Sequence, residues 1–498
     1  MSLMSIGGLR RRFSGLSGYS VIVGVIARIT LIIGIVLLIP ALVAVIYNEL
    51  NEAKAFFLVS IIVISSSYLA SRVVKIPQNI TIPEAFIISG ISWLLVSFIG
   101  ALPYLLTINL ALLDAYFESM SGFTTTGMTI LSNLETLPKS ILFWRSLTQW
   151  IGGLGILMMF IVLAGPLSGT SILRLYIVEA REIKIRASTW ITVRDMWLIY
   201  MLYTLLATIV LLFLGMDPFN AVTHAFTALA TGGFSTKDSS IAGFNNVNIE
   251  AALTFFEFIG ATNFLAHYRL FRYGVKDFIK YYEVKYYIIL IALASLLVSC
   301  DLMFNYGLDA LNSLRYSVFQ VVAIVTTTGY QTADISIWPR FSKTLLLILM
   351  FVGGQQCSTG GSIKLGRLVI AAKVLKNQIE RLYLPSAVIK PVKINSHIID
   401  ENEAMKILAY ISMYILLIIV GTIALIALGY EPFSALSAIA SAQGNVGPAY
   451  ISLYELAPVG KALLVFHMWL GRLEVVPVVA LFTPQLWRLA RRHTTEST

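Results

Sequence analysis

TTTGM at residues 124–128 decides the fold, because it returns three times, as TGGFS at 231–235, TTTGY at 326–330 and NVGPA at 445–449. Aligned on Gly127, Gly233, Gly329 and Gly447, the strips follow one another at steps of 106, 96 and 118 residues (127 to 233, 233 to 329, 329 to 447). Twelve positions before each glycine stands a small residue, Ala115, Ala221, Ser317 or Ala435, opening a short helix-compatible run. A helix leading into an extended Thr/Gly strip, four times over, is what a ring of backbone carbonyls around a cation requires, with glycine allowing the close backbone approach.

Composition names the solvent. With 57% hydrophobic and 12% charged residues and a mean hydropathy of +0.81 over 498 residues, the chain reads as an integral membrane protein. A span takes about 20 apolar residues, and ten stretches supply them: 28–47, 55–74, 83–106, 141–163, 191–214, 249–270, 286–303, 341–374, 404–428 and 461–482. The expected fold is an all-α polytopic membrane protein of ten transmembrane spans. In it, four parallel span/pore-helix/filter/span repeats surround a pseudo-fourfold pore axis. Residues 1–27 form a cytoplasmic N-terminus and 28–76 two extra spans. The repeats cover 81–166, 188–274, 282–376 and 400–487, and 488–498 is a cytoplasmic C-terminus. The runs before each glycine are too short to cross and are expected to re-enter, which is tolerated only inside protein or beside water.

Twenty-five basic residues fall on the segments that are inner if the N-terminus is inside, against eight on outer ones, Arg145 among the latter. The positive-inside rule therefore puts both termini in the cytoplasm and the four strips near the outer face. The net charge of +10 is spread over these loops, and no nucleic-acid partner is expected. Cys300 and Cys357 stand at different depths, so no disulfide is expected. No cluster of acids, His or Cys suggests an enzyme, a resident metal or a cofactor. A transporter of another fold would show inverted repeats instead of parallel ones.

The residues expected to bind potassium through their carbonyls are Thr125, Thr126 and Gly127, Thr231, Gly232 and Gly233, Thr327, Thr328 and Gly329, and Asn445, Val446 and Gly447. Converging carbonyls replace the water of potassium without a fixed charge that would trap it. The fourth strip departs from the others, with Asn445 where they have threonine. Asp114, Asp217, Asp309 and Glu431 stand near the starts of the short runs, as caps that would also make a cation-attracting vestibule.

The run from Ser342 to Val374 is 33 residues, about 50 Å as one helix, and GGQQCSTGGS interrupts it. Gly353, Gly354, Gln355, Gln356, Cys357, Ser358, Thr359, Gly360 and Gly361 are expected to line protein or a cavity, far from the strips, as a plain kink or as a segment that changes conformation at low cost. Arg472 interrupts the apolar run HMWLGRLEVVPVV near the middle of the last span. It either faces the pore below the strips as a barrier or pairs with Glu474 or Glu257.

The four strips, the GGQQCSTGGSIK stretch and GRLE at 471–474 resemble the Trk/Ktr/HKT superfamily of potassium transporters, and the two extra N-terminal spans make the chain more similar to its TrkH branch. The resemblance implies a potassium-selective conducting subunit of an uptake system in the inner (plasma) membrane. It implies a homodimer surrounded by lipid, an intramembrane gate loop, and a separate cytoplasmic nucleotide-binding partner of the TrkA kind. It places Arg472 in the ion path, and because a serine at the first strip goes with sodium preference in that family, Gly127 argues for potassium. The alternative of the same fold is a transporter that couples potassium to protons or sodium.

Overall fold

The computed structural model describes residues 19–73, 80–163, 173–175, 189–383, 391–394 and 397–496. Most of the N-terminal segment 1–27, and the basic residues at 10–12, 75, 181–186 and 390 that entered the orientation argument, lie outside them.

The described chain is mostly helical. Six helices are long and apolar enough to cross a membrane: Ser20–Ile46, Leu50–Arg72, Ile82–Thr107, Thr189–Phe213, Tyr282–Tyr306 and Glu401–Ala427. Val247–Gly260 and Phe264–Tyr273 form a further pair bent by 101°. The first two helices pack on each other and on Ile82–Thr107, joined by Thr30 Oγ1 and Ser67 Oγ at 2.8 Å and by Ser60 Oγ donating to the Gly34 carbonyl at 2.7 Å. Such bonds satisfy hydroxyls that lipid could not.

Each leading helix is followed by a short one: Leu112–Phe123, Pro218–Leu229, Ala310–Val325 and Pro432–Gly444. Three have the expected acidic cap, with Asp217, Asp309 and Glu431 accepting from the amides of Asn220, Asn312 and Ser434. Asp114 is a correction. It lies inside the first turn, behind Ala111 as cap, and its carboxylate meets Lys461 at 2.8 Å.

The trailing helices differ more from expectation. Only the third was expected to break, yet all four do. Lys139–Leu154 stops at Gly155 before Ile156–Leu163, Val247–Gly260 turns at residues 261–263, Arg340–Leu349 gives way to a loop before Leu365–Arg381, and Pro458–Arg472 ends before Val476–Leu481. Three of the breaks lie beside a point of close packing. At Gly152, Gly260 and Gly471 a Cβ would collide with the carbonyl ending a short helix, that of Phe123, Leu229 or Gln443. In the third repeat the matching carbonyl, Val325, accepts from the Tyr287 hydroxyl at 3.1 Å instead. A continuous helix would run on into the space beneath the strips.

Two small strand pairs qualify the all-α expectation: Val352–Gly353 beside Ile363–Lys364 in parallel, and the antiparallel Val392–Ile394 with His397–Ile399. The first closes the neck of the 353–361 loop.

Candidate functional site

Each short helix ends in the same backbone motif. The residue two before the glycine is left-handed in all four strips: Thr125 (φ 55°), Thr231 (φ 49°), Thr327 (φ 61°) and Asn445 (φ 53°). The amides of Thr126, Gly232, Thr328 and Val446 reach back to the carbonyls of Ser121, Thr227, Ala323 and Ser441 at 2.8–2.9 Å. This is a Schellman closure, whose left-handed residue is ordinarily Gly or Asn. Asn445 therefore keeps the shared geometry, whereas each threonine holds a conformation that costs about 1–3 kcal/mol. The glycines follow at φ 76°, 75°, 80° and 108°, which side-chain-bearing residues rarely adopt.

The strips meet in cyclic order. A Cβ on Gly127 would strike the Gly232 carbonyl, one on Gly233 that of Thr328, one on Gly329 that of Val446, and one on Gly447 would lie 2.9 Å from that of Thr126. Each glycine thus abuts the carbonyl just ahead of the next glycine, and the fourth returns to the first.

Behind this ring lie polar braces that sequence reasoning missed. Gln149 donates to the Gly232 carbonyl at 2.7 Å and accepts from the Phe234 amide at 3.1 Å. Arg145, expected on an outer segment, is buried in a 2.8 Å ion pair with Glu118 and donates to the Ser235 carbonyl at 3.0 Å, tying strip one to strip two. A signal for the braces was present. The four-residue pattern from Trp150, Phe258, Phe351 and Trp469 to Gly153, Ala261, Gly354 and Arg472 repeats 24 to 27 residues after the strips, measured from strip glycine to helix glycine (127 to 152, 233 to 260, 329 to 353, 447 to 471).

Arg472 occupies the last position of that pattern, where the other repeats have Gly153, Ala261 and Gly354. It ends its helix instead of sitting mid-span, and it reaches beneath the ring. Its guanidinium donates to the carbonyls of Gly152 and Gly153, the latter at 2.7 Å, to that of Thr359 at 3.1 Å and to Thr125 Oγ1 at 3.2 Å. Glu474 meets Arg367 at 2.6 Å, and Glu257 has no hydrogen-bond partner among the described residues. Four neutral oxygens receive the Arg472 guanidinium, and Glu474 lines the same polar cavity beneath the ring.

The 353–361 loop lies directly under the strips, which corrects its expected distance from them. Thr359 Oγ1 bonds the Leu229 and Gly260 carbonyls at 3.0 and 2.8 Å and receives Thr231 Oγ1 at 3.1 Å, while the Gly361 amide donates to Thr327 Oγ1 at 2.7 Å. The loop is laced to the bend of the second repeat, the Gln355 amide to Ala261 O at 2.9 Å and the Phe264 amide to Cys357 O at 3.2 Å. Ser358 Oγ closes on the Gln355 carbonyl at 2.5 Å. Buried Lys364 donates to the Gly360 carbonyl, adding a second cation, and a polar cavity beneath is lined by Gly153, Met196, Cys357, Gly360, Lys364 and Arg472. Cys300 and Cys357 are not joined in a disulfide.

Residues 50–489 match the family model TrkH, described as cation transport protein. The chain belongs to the TrkH family. It is similar to the Trk system potassium uptake protein TrkH of Escherichia coli (strain K12), 34% identical over 468 residues, with 91% of this chain and 96% of the relative covered. It is similar also to the TrkH of Halomonas elongata, 34% identical over 432 residues, with 84% and 89% covered. Among solved structures, the crystal structure of the potassium transporter TrkH from Vibrio parahaemolyticus superposes with a TM-score of 0.85 at 29% identity, covering 94% of this chain and 99% of that one. TrkH membership makes the chain a transport protein of the membrane, as expected, and not an enzyme. Among the described residues no group of three or more His, Cys, Asp or Glu could hold a metal ion.

Proposed function

We propose that this chain is the potassium-conducting subunit of a Trk-type uptake system. The observation that carries the reading is the cyclic abutment of the four strips, each glycine against the next strip's carbonyl. Four backbones arranged so can surround one dehydrated cation, with Thr125, Thr126 and Gly127, Thr231, Gly232 and Gly233, Thr327, Thr328 and Gly329, and Asn445, Val446 and Gly447 as the filter. Ten spans, four of them broken under the filter, would make four parallel repeats around this axis, with both termini in the cytoplasm. The potassium named in the relatives' titles supports the choice of cation.

Beneath the filter, Arg472 is the electrostatic barrier and residues 353–361 the gate. The loop closes the inner end of the ring through Thr231 and Thr327, and Arg472 closes it through Thr125. Its exit leads straight into Leu365–Arg381. A cytoplasmic nucleotide-binding partner pulling on that helix would withdraw the loop, a two-state element biased from outside. The functional unit is a homodimer in the inner (plasma) membrane.

The test is the purified chain in liposomes, with rubidium uptake and reversal potentials measured in mixed potassium and sodium. Passive, potassium-selective flux is expected. Flux that stops without a proton or sodium gradient would replace the channel reading by coupled transport.

A further inference from the structure

Three residues ahead of the packing glycines Gly152, Gly260, Gly353 and Gly471 stand Gln149, Glu257, Met350 and Met468. These four occupy one position of the repeat. Gln149 holds strip two by a donor and an acceptor bond. Met350 packs in the same apolar cluster as Val446 of strip four. One step round the ring carries Glu257 to strip three, and its titratable neighbours there are Tyr287 and Tyr330.

Glu257 is fully buried, and neither carboxyl oxygen has a hydrogen-bond partner among the described residues. It takes no part in the ion pairs of the neighbouring helices, where Arg315 is held by Glu250 and Arg145 by Glu118. Both tyrosine hydroxyls are engaged elsewhere, Tyr287 on the Val325 carbonyl and Tyr330 with Thr227. An ionised carboxylate enclosed without cation or donor costs far more than a neutral acid, which needs only one acceptor and one donor. Strip three offers that pair at the positions where strip two engages Gln149: the Thr328 carbonyl for Gly232, and the Tyr330 amide for Phe234.

We propose that Glu257 is a positioning residue for the third strip, acting as the neutral acid in the role that Gln149 fills at the second. A rotation of its side chain from the unpartnered position sets its hydroxyl on the Thr328 carbonyl and its carbonyl oxygen on the Tyr330 amide. Strips two and three are then braced from one position of the repeat, by an amide and by a neutral acid. The inference rests on the filter reading above.

The experiment uses the full chain in liposomes with Glu257→Gln, Glu257→Leu and Gln149→Leu, and reads reversal potentials in mixed potassium and sodium beside the infrared difference spectrum of wild type minus Glu257→Gln. Glu257→Gln, which mimics the neutral acid, should keep the wild-type permeability ratio. Glu257→Leu and Gln149→Leu should each lower it by roughly tenfold, equivalent to about 1.4 kcal/mol in relative barrier height. The difference spectrum at neutral pH should contain the carbonyl stretch of a protonated carboxylic acid. A carboxylate band in its place overturns the proposal even if Glu257→Leu does not fold. So does a Gln variant as unselective as the Leu variant, or a Leu variant with the wild-type ratio. Failure of the filter reading is a separate result: Gly127→Ser would keep the wild-type ratio while the acid band remained.

Discussion

The four strips are alike, and the four segments beneath them are not. Above, one backbone conformation recurs in every repeat despite the sequences TTTG, TGG, TTTG and NVG. Below, the trailing helices break at one level and then diverge into a glycine step, a 101° bend, a loop closed by a strand pair, and a helix ending on arginine. The contrast follows from what each level does in the proposed function. A bare cation needs oxygens on all sides, so the ring is equal in its four quadrants. A barrier needs one positive charge and a gate one movable segment, and both are made by leaving the pattern in single repeats.

The largest expected effect breaks the upper level. Gly233→Ala places a methyl group against the Thr328 carbonyl, which is backbone and cannot swing aside, at a φ that alanine rarely adopts. Potassium uptake should fall to background in a protein that still elutes as a folded species, whereas sustained selective uptake would remove Gly233 from the ring. Gly127→Ser should act in the same direction but less completely, weakening potassium over sodium in reversal potentials.

The next effects concern the lower level. Replacing Gln355 to Thr359 by a shorter glycine linker should give rubidium uptake without any partner protein, on the order of tenfold above wild type. Because Thr359 touches Thr231 and the adjoining Gly361 amide serves Thr327, this variant should also lose part of its selectivity. Uptake no higher than wild type would mean that the loop is not the gate. Arg472→Ala should raise flux several-fold by removing a positive charge that bonds the backbone beneath the strips. A lower melting temperature without extra flux would assign the arginine to structure alone.

The smallest effect separates the helix starts. Exposed Asp309 is held below the usual carboxylate range by hydrogen bonds from Asn312, and Glu431 by the amides of Phe433 and Ser434. A lowered folded-state value contributes stability that is present above the unfolded value and lost as pH falls through the folded one. The melting temperature in detergent should hold from neutral to about pH 5 and decline below about pH 4. In Asp309→Asn and Glu431→Gln the decline should be shallower.

The strips, the long spans and the acidic caps were legible because each is local. A span declares itself by some 20 apolar residues, a cap by its place before a helix, and a fourfold Thr/Gly strip by repetition. The breaks in the first, second and fourth trailing helices were not legible. Residues 141–163 read as an unbroken apolar run and 461–482 as one span interrupted only by Arg472, and the breaks fall beside the carbonyl end of a short helix 28 to 31 residues earlier in the chain (123 to 152, 229 to 260, 443 to 471). The seating of the 353–361 loop against the strips was equally hidden, since Thr359 finds Thr231 across 128 residues.

By itself the sequence determined the solvent, the number of repeats of the strip and the residue types at its turning points, since apolar length and glycine at positive φ are properties of the chain at one place. Only the tertiary structure decided the cyclic order of the strips and the oxygens that receive Arg472. Those depend on which distant carbonyl occupies the few ångströms around each atom, and a buried charge or glycine takes its meaning from that neighbour.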